Sequence, residues 1–145
     1  MIYWDTSVII KLYIKEDLSE IVAEKAKEFD QAIPLTNLHE LELANALNLK
    51  VFRNEIKVEE VEFIKAQIQK HEAMHLYYRP VLDWTEIYQT AFALSDKYTK
   101  RIGSRSLDIL HVSIALHIKS EVFFTNDQRQ LELADIAGLT TETVK

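Results

Sequence analysis

Short apolar runs separated by helix-length amphipathic stretches constrain this chain more than any other feature. Residues 1–4, 32–35, 77–82 and 122–125 each read as a brief strand, and 140–144 as a last edge strand. Between them the spacing predicts helices over 8–13, 17–29, 38–53, 58–76, 83–102, 106–119 and 126–138. Several starts carry cap signatures: Asp17-Leu18-Ser19-Glu20, Thr36 or Asn37, Asp83-Trp84-Thr85-Glu86, Ser106, and Asn126 or Asp127. Gly103 and Gly138 mark two helix ends. Strands alternating with helices imply a parallel sheet covered on both faces, so the expected class is α/β.

Composition narrows this further. With 145 residues and 48% hydrophobic side chains, the chain fits one domain spanning 1–145 with a real core. There is no cysteine, which excludes disulfides, thiolate metal sites and a cysteine nucleophile, and suits a reducing cytoplasmic setting. The start MIYWDTSVIIKLY has an acid at position 5 and no basic leader, unlike a secretory signal. No run approaches the roughly 18 apolar residues of a membrane span. The net charge of −6 argues against a surface that grips nucleic acid everywhere and leaves room only for a local basic groove.

In parallel sheets, ligands gather beyond the carboxyl ends of the strands. Asp5 follows the first strand and Asp127 the fourth. Glu42 lies inside HELELANAL, and Asp108 begins the nearly all-apolar helix SLDILHVSIAL. Four carboxylates brought together repel one another unless cations sit between them. Oxygen-only donors suit Mg²⁺ or Mn²⁺. A divalent ion would answer why an apolar helix tolerates Asp108, and metal-assisted phosphodiester hydrolysis is the chemistry implied.

Each residue also has a plainer reading. Asp127 and Asp108 can be helix caps, Glu42 and its neighbour Glu40 solvated helix residues, and Asp5 a turn residue. Thr6, Ser7 and Thr125 place hydroxyls beside the acids, either to order water or to cap local backbone. Lys97, Lys100, Arg101 and Arg105 either hold substrate phosphates or favour the helix end before Gly103. His111 shares a face with Asp108, where it either orients that acid or contacts substrate, or is a hydrogen-bonded core residue, and the core reading is favoured. His71 and His75 read as ordinary helix residues.

The segments IYWDTSVIIKLY at 2–13, HELELANAL at 39–47, RSLDILHVSIAL at 105–116 and FFTNDQRQLELADIAGL at 123–139 resemble the PIN-domain ribonucleases. Within them the likeness is to the VapC-type toxins of toxin–antitoxin pairs. The resemblance implies a three-layer αβα sandwich with a central, mostly parallel sheet. It also implies Mg²⁺- or Mn²⁺-dependent endoribonuclease activity on RNA, a homodimer, and inhibition by a cognate antitoxin. The family's metal-binding acids fall on Asp5, Glu42, Asp108 and Asp127, with Thr125 and Thr6 as the accompanying hydroxyls. Glu42 is preferred to Glu40 because Ala and Leu closely follow it. Trp4 departs from the small aliphatic residue common before the first acid. A catalytically idle PIN-like domain that binds RNA or protein is the alternative, and a DNA or flap nuclease a remoter one.

Overall fold

Alternation along the first strand sets the architecture. The computed structural model describes residues 1–144, and β1 (Ile2–Trp4) sends Ile2 and Trp4 into one apolar cluster and Tyr3 into another. β4 (Val122–Phe124) does the same, with Val122 and Phe124 on the first side and Phe123 on the second. Because successive strand side chains point to opposite faces, the sheet has a core on each face. Val22, Leu43, Leu47, Val61 and Ile64 from α2 (Ser19–Phe29), α3 (Asn37–Phe52) and α4 (Val58–Ala73) cover the first. Ile87, Val112 and Leu133 from α5 (Trp84–Leu94), α7 (Ser106–His117) and α8 (Gln128–Ile136) cover the second. This is the expected three-layer αβα sandwich.

All strand pairings among the described residues are parallel. β1 pairs β4, which pairs β5 (Thr140–Glu142) at the edge, and β2 (Ile33–Pro34) pairs β3 (Tyr77–Tyr78). β2 lies beside β1 without a hydrogen-bonded ladder. Pro34 supplies the reason. The Ile33 and Leu35 amides donate outward to Leu76 and Tyr78, so the intervening residue faces β1, and proline has no hydrogen to give. His39 closes part of the gap by bonding through Nε2 to the Trp4 carbonyl at 2.8 Å.

Several boundaries differ from expectation. Helix 8–13 is instead α1 (Thr6–Ile9) followed by a 3₁₀ turn, Ile10–Leu12. Asp17 makes no cap. α2 starts after Leu18, which is left-handed at φ 72°, and Ser19 spends its hydroxyl on the preceding loop, donating to Ile14 O and accepting from Glu16 N. Strand 77–82 shortens to β3 because β2 offers only two pairing residues. Strand 140–144 ends at Glu142, and Lys145 lies outside the described residues. Helix 83–102 is interrupted by a π-helical turn at Ser95–Thr99 before α6 (Lys100–Ile102), and ends at Gly103 with φ 73°. Ser106 is not the cap of α7; Arg105 holds that position. Thr36, Asp83 and Asp127 do cap, accepting from His39 N, Glu86 N, and Arg129 N with Gln130 N respectively.

Candidate metal centre

The parallel strands end where three helices begin, and there the four acids meet. Asp5 immediately follows β1 and is 3% exposed. Its carboxylate accepts from Ser7 N at 3.3 Å, from the Ser7 hydroxyl, from Thr125 Oγ1 at 3.0 Å and from Gln130 Nε2 at 3.3 Å. Asp108, also buried, stands in the first turn of α7 and accepts from the same Gln130 Nε2 at 2.8 Å. Asp127 follows β4, and Glu42 projects from α3 to accept from Thr6 Oγ1 at 2.7 Å. These four residues, with Thr6, Ser7, Arg105 and Gln130, line one open cavity of about 220 Å³.

The capping reading of Asp127 holds alongside its cavity placement, that of Asp108 does not, and Asp5, expected as a turn residue, caps α1 while facing the shared space. Glu40 is elsewhere, exposed and paired with Arg79, so Glu42 is the acid that α3 contributes.

The positive partner of Asp108 is Arg105, three residues earlier on the same helix end. Arg105 Nε lies 2.7 Å and Nη2 3.3 Å from the Asp108 carboxylate, and Nη2 also reaches Asp127 at 2.8 Å. Asp108 therefore meets a positive partner from within its own chain, a pairing the sequence alone does not reveal. Of the four basic residues singled out there, only Arg105 reaches the acids. Lys97 and Arg101 lie over the Tyr98 ring, at 5.3 and 5.8 Å from its centroid, and neither they nor Lys100 line the cavity.

His111 is completely buried, and its role is larger than core packing. Nδ1 meets the Tyr3 hydroxyl at 2.7 Å, while Nε2 bonds Glu42 and stands 3.7 Å from Asp5. Burial opposes its charged form, but the hydrogen bond to Glu42 and the charges of Asp5, Glu42 and Asp108 outweigh it and raise its pKa. Burial likewise pushes the Asp5 carboxyl up, yet the His111 charge and bonds from Ser7, Thr125 and Gln130 prevail and hold it below the usual value. For His39 the Trp4 carbonyl and the Asp5 charge are too weak to do the same. Burial, with the nearby His111 charge, drives it down to about 3.

A divalent cation fits this donor set. Arg105 offsets one of four carboxylate charges, and His111 one more when protonated, so at least two negative charges remain. The oxygens are of the hard type that Mg²⁺ and Mn²⁺ take. Gln130 Oε1 is also buried there with no hydrogen-bond partner among the described residues.

The profile of the PIN domain matches residues 2–136. The chain belongs to the PIN-domain family. PIN domains are typically metal-dependent nucleases. Among solved structures, FitAcB from Neisseria gonorrhoeae aligns over 97% of this chain and 96% of its own, with a TM-score of 0.66 and 14% identity, a likeness of fold. No curated protein matches the sequence. Among the described residues no helix is long and apolar enough to cross a membrane.

Two features of this PIN domain escape a reading of the sequence. Gln130, on the turn after Asp127, bridges Asp5 and Asp108. A second cavity of about 450 Å³ adjoins the acids, sharing Ser7, Ile10, Ala46 and Asp127, and brings in Lys11, Lys50 and Arg53. Lys11 and Lys50 both pair with Glu16, at 3.1 and 2.9 Å.

From its two buried histidines, the metal-free PIN domain is expected to be most stable near pH 6.5, the ordinary value for the unfolded side chains. Below that value the unfolded chain protonates His39 while the folded chain does not until about 3, so stability falls with falling pH. Above it the folded chain keeps the His111 proton that the unfolded chain has lost, so stability falls as pH rises through the raised pKa. Each limb has a slope of up to about 1.4 kcal/mol per pH unit. Urea unfolding in chelator across pH 5–8 checks this; His111→Asn should flatten the alkaline limb, and an unchanged limb contradicts the assignment.

Proposed function

We propose that this protein is a Mg²⁺- or Mn²⁺-dependent endoribonuclease that hydrolyses RNA phosphodiester bonds. Its role would be that of the cytoplasmic toxin of a type II toxin–antitoxin pair. The observation that carries this is the convergence of Asp5, Glu42, Asp108 and Asp127 on one cavity with an uncompensated negative charge. The family's usual activity points the same way.

Those four residues would hold the metal. A bound divalent ion supplies Lewis acidity toward a phosphoryl oxygen and lowers the pKa of water. The chain's own groups do the rest. Thr125 and Gln130 fix Asp5, Thr6 fixes Glu42, and the Asp127 amide bonds Thr125 Oγ1 at 3.1 Å, tying the end of β4 to the first acid. Arg105 is 60% exposed, so its guanidinium can exchange a carboxylate for a phosphate without losing hydration. In the adjoining groove Lys11 and Lys50 are paired with Glu16, which leaves the exposed Arg53 as its contribution. With Arg105 it adds to the local positive charge that a chain of net charge −6 needs for an RNA backbone.

A cognate antitoxin would place a basic side chain among the acids, as Arg105 already does from within. A homodimer has an apolar face to use, where Tyr88 and Phe92 are exposed on α5.

One observation favours a second reading, a catalytically idle RNA- or protein-binding domain: Arg105 already occupies two of the four acids. Purified protein incubated with structured RNA separates them. Discrete fragments with Mn²⁺ or Mg²⁺, abolished by chelator, are expected. Intact RNA under both metals would leave the idle reading standing.

A further inference from the structure

Beyond the four acids, the geometry points to His111 as a direct metal ligand through Nε2, giving the site a nitrogen donor and a preference for Mn²⁺ over Mg²⁺. This rests on the reading that the acids hold a divalent ion. Asp5, Glu42 and His111 each offer one ligand atom, and these atoms lie within 4.8 Å of one another. Donors on opposite sides of one ion with bonds of about 2.1 Å stand about 4.2 Å apart, so small side-chain adjustments bring all three onto it.

The rest of the imidazole is arranged as a ligand's would be. A metal-bound histidine almost always has its second nitrogen held by another group, which fixes the ring. Here Tyr3 holds Nδ1 at 2.7 Å from inside the core, where both residues are 0% exposed. A hydroxyl can donate or accept, so it serves the tautomer that bonds Glu42 and the one that leaves the Nε2 lone pair free. The ring cannot swing away, because it packs 5.7 Å from the Tyr3 ring and 5.1 Å from His39. His39 is unavailable as a ligand, since both its nitrogens are engaged, with Thr36 and with the Trp4 carbonyl.

The consequence is chemical selectivity. Carboxylates alone suit Mg²⁺ and Mn²⁺ alike, whereas imidazole adds affinity for transition ions and little for Mg²⁺. His111→Gln should therefore weaken Mn²⁺ binding about tenfold or more while changing Mg²⁺ binding by less than about threefold.

Electron spin-echo modulation of the wild-type protein loaded with less than one equivalent of Mn²⁺ reads the bond directly. We expect ¹⁴N coupling of a coordinated imidazole, absent in His111→Gln and retained in His75→Gln. Should His111→Gln not fold, a variant lacking His71, His75 and His117 takes its place: retained coupling supports the assignment, and lost coupling overturns it. Mn²⁺ that binds tightly without nitrogen coupling overturns the assignment and leaves the carboxylate centre intact. No saturable Mn²⁺ binding overturns both.

Discussion

Asp5→Asn lowers metal-dependent RNA cleavage by about a thousandfold or more. The substitution keeps the shape of the side chain but removes a charge at the most enclosed of the four acids. It also replaces a carboxylate oxygen with an NH₂ group. Asp5 accepts from four donors, so an amide nitrogen there must face another donor, from Gln130 on one side or from Ser7 and Thr125 on the other. A thousandfold corresponds to about 4 kcal/mol of transition-state stabilisation, the scale on which preorganised electrostatic groups act. Folding should survive, because relief of repulsion among the acids offsets part of the lost hydrogen bonding. Fragment yields over time, with thermal unfolding as the control, decide it. Cleavage within about threefold of wild type would remove Asp5 from the reaction.

Trp4→Ala costs about 3–5 kcal/mol of stability. Trp4 is 2% exposed and meets Phe124 and Phe29 edge-on, with ring centroids 4.8 and 6.0 Å away. Where a small aliphatic residue would leave space beneath the site, this chain fills it with indole and two phenyl rings. Truncation removes large buried area and leaves a cavity among rings that cannot follow it inward. Against a total of about 5–15 kcal/mol for an ordinary domain, that is a large share. It lowers the midpoint of thermal unfolding by about 10–20 °C. Trp4→Leu, which keeps apolar volume, should lose markedly less. A change under about 1 kcal/mol for the alanine variant would mean the cluster repacks freely.

What the sequence made legible follows from which forces are local. β1 and β4 were readable because a run apolar on both faces belongs in a covered parallel sheet. The caps at Thr36, Asp83 and Asp127 were readable because each bonds an amide two or three residues on. Asp17 carries a cap signature but makes no cap, because the left-handed Leu18 holds the position before α2. The π turn at Ser95–Thr99 adds a register change without any sequence punctuation.

In the site, Asp5 and Asp127 were legible because strand-end placement is a rule of the fold, Asp108 because a carboxylate stands out in an apolar helix, and Glu42 over Glu40 only through the family resemblance. Their partners were not. Gln130 bridges Asp5 and Asp108 across 125 and 22 residues of chain, which takes both the pairing of β1 with β4 and the packing of α7 on α8. Arg105 was visible as a cation but not as a clamp. His111 sits three residues beyond Asp108, on the same face, yet its importance depends on Tyr3 and Glu42 arriving from opposite sides.

If Asp5, Glu42, Asp108 and Asp127 together cage a divalent ion, calorimetric titration of Mn²⁺ into the wild-type protein and into an Asp5→Asn/Asp108→Asn variant will tell the two proteins apart. Saturable binding at one or two ions per chain in the wild type, weakened about a hundredfold or more in the variant, is the predicted result. Equal binding by both proteins, or heat that never saturates in either, would contradict it.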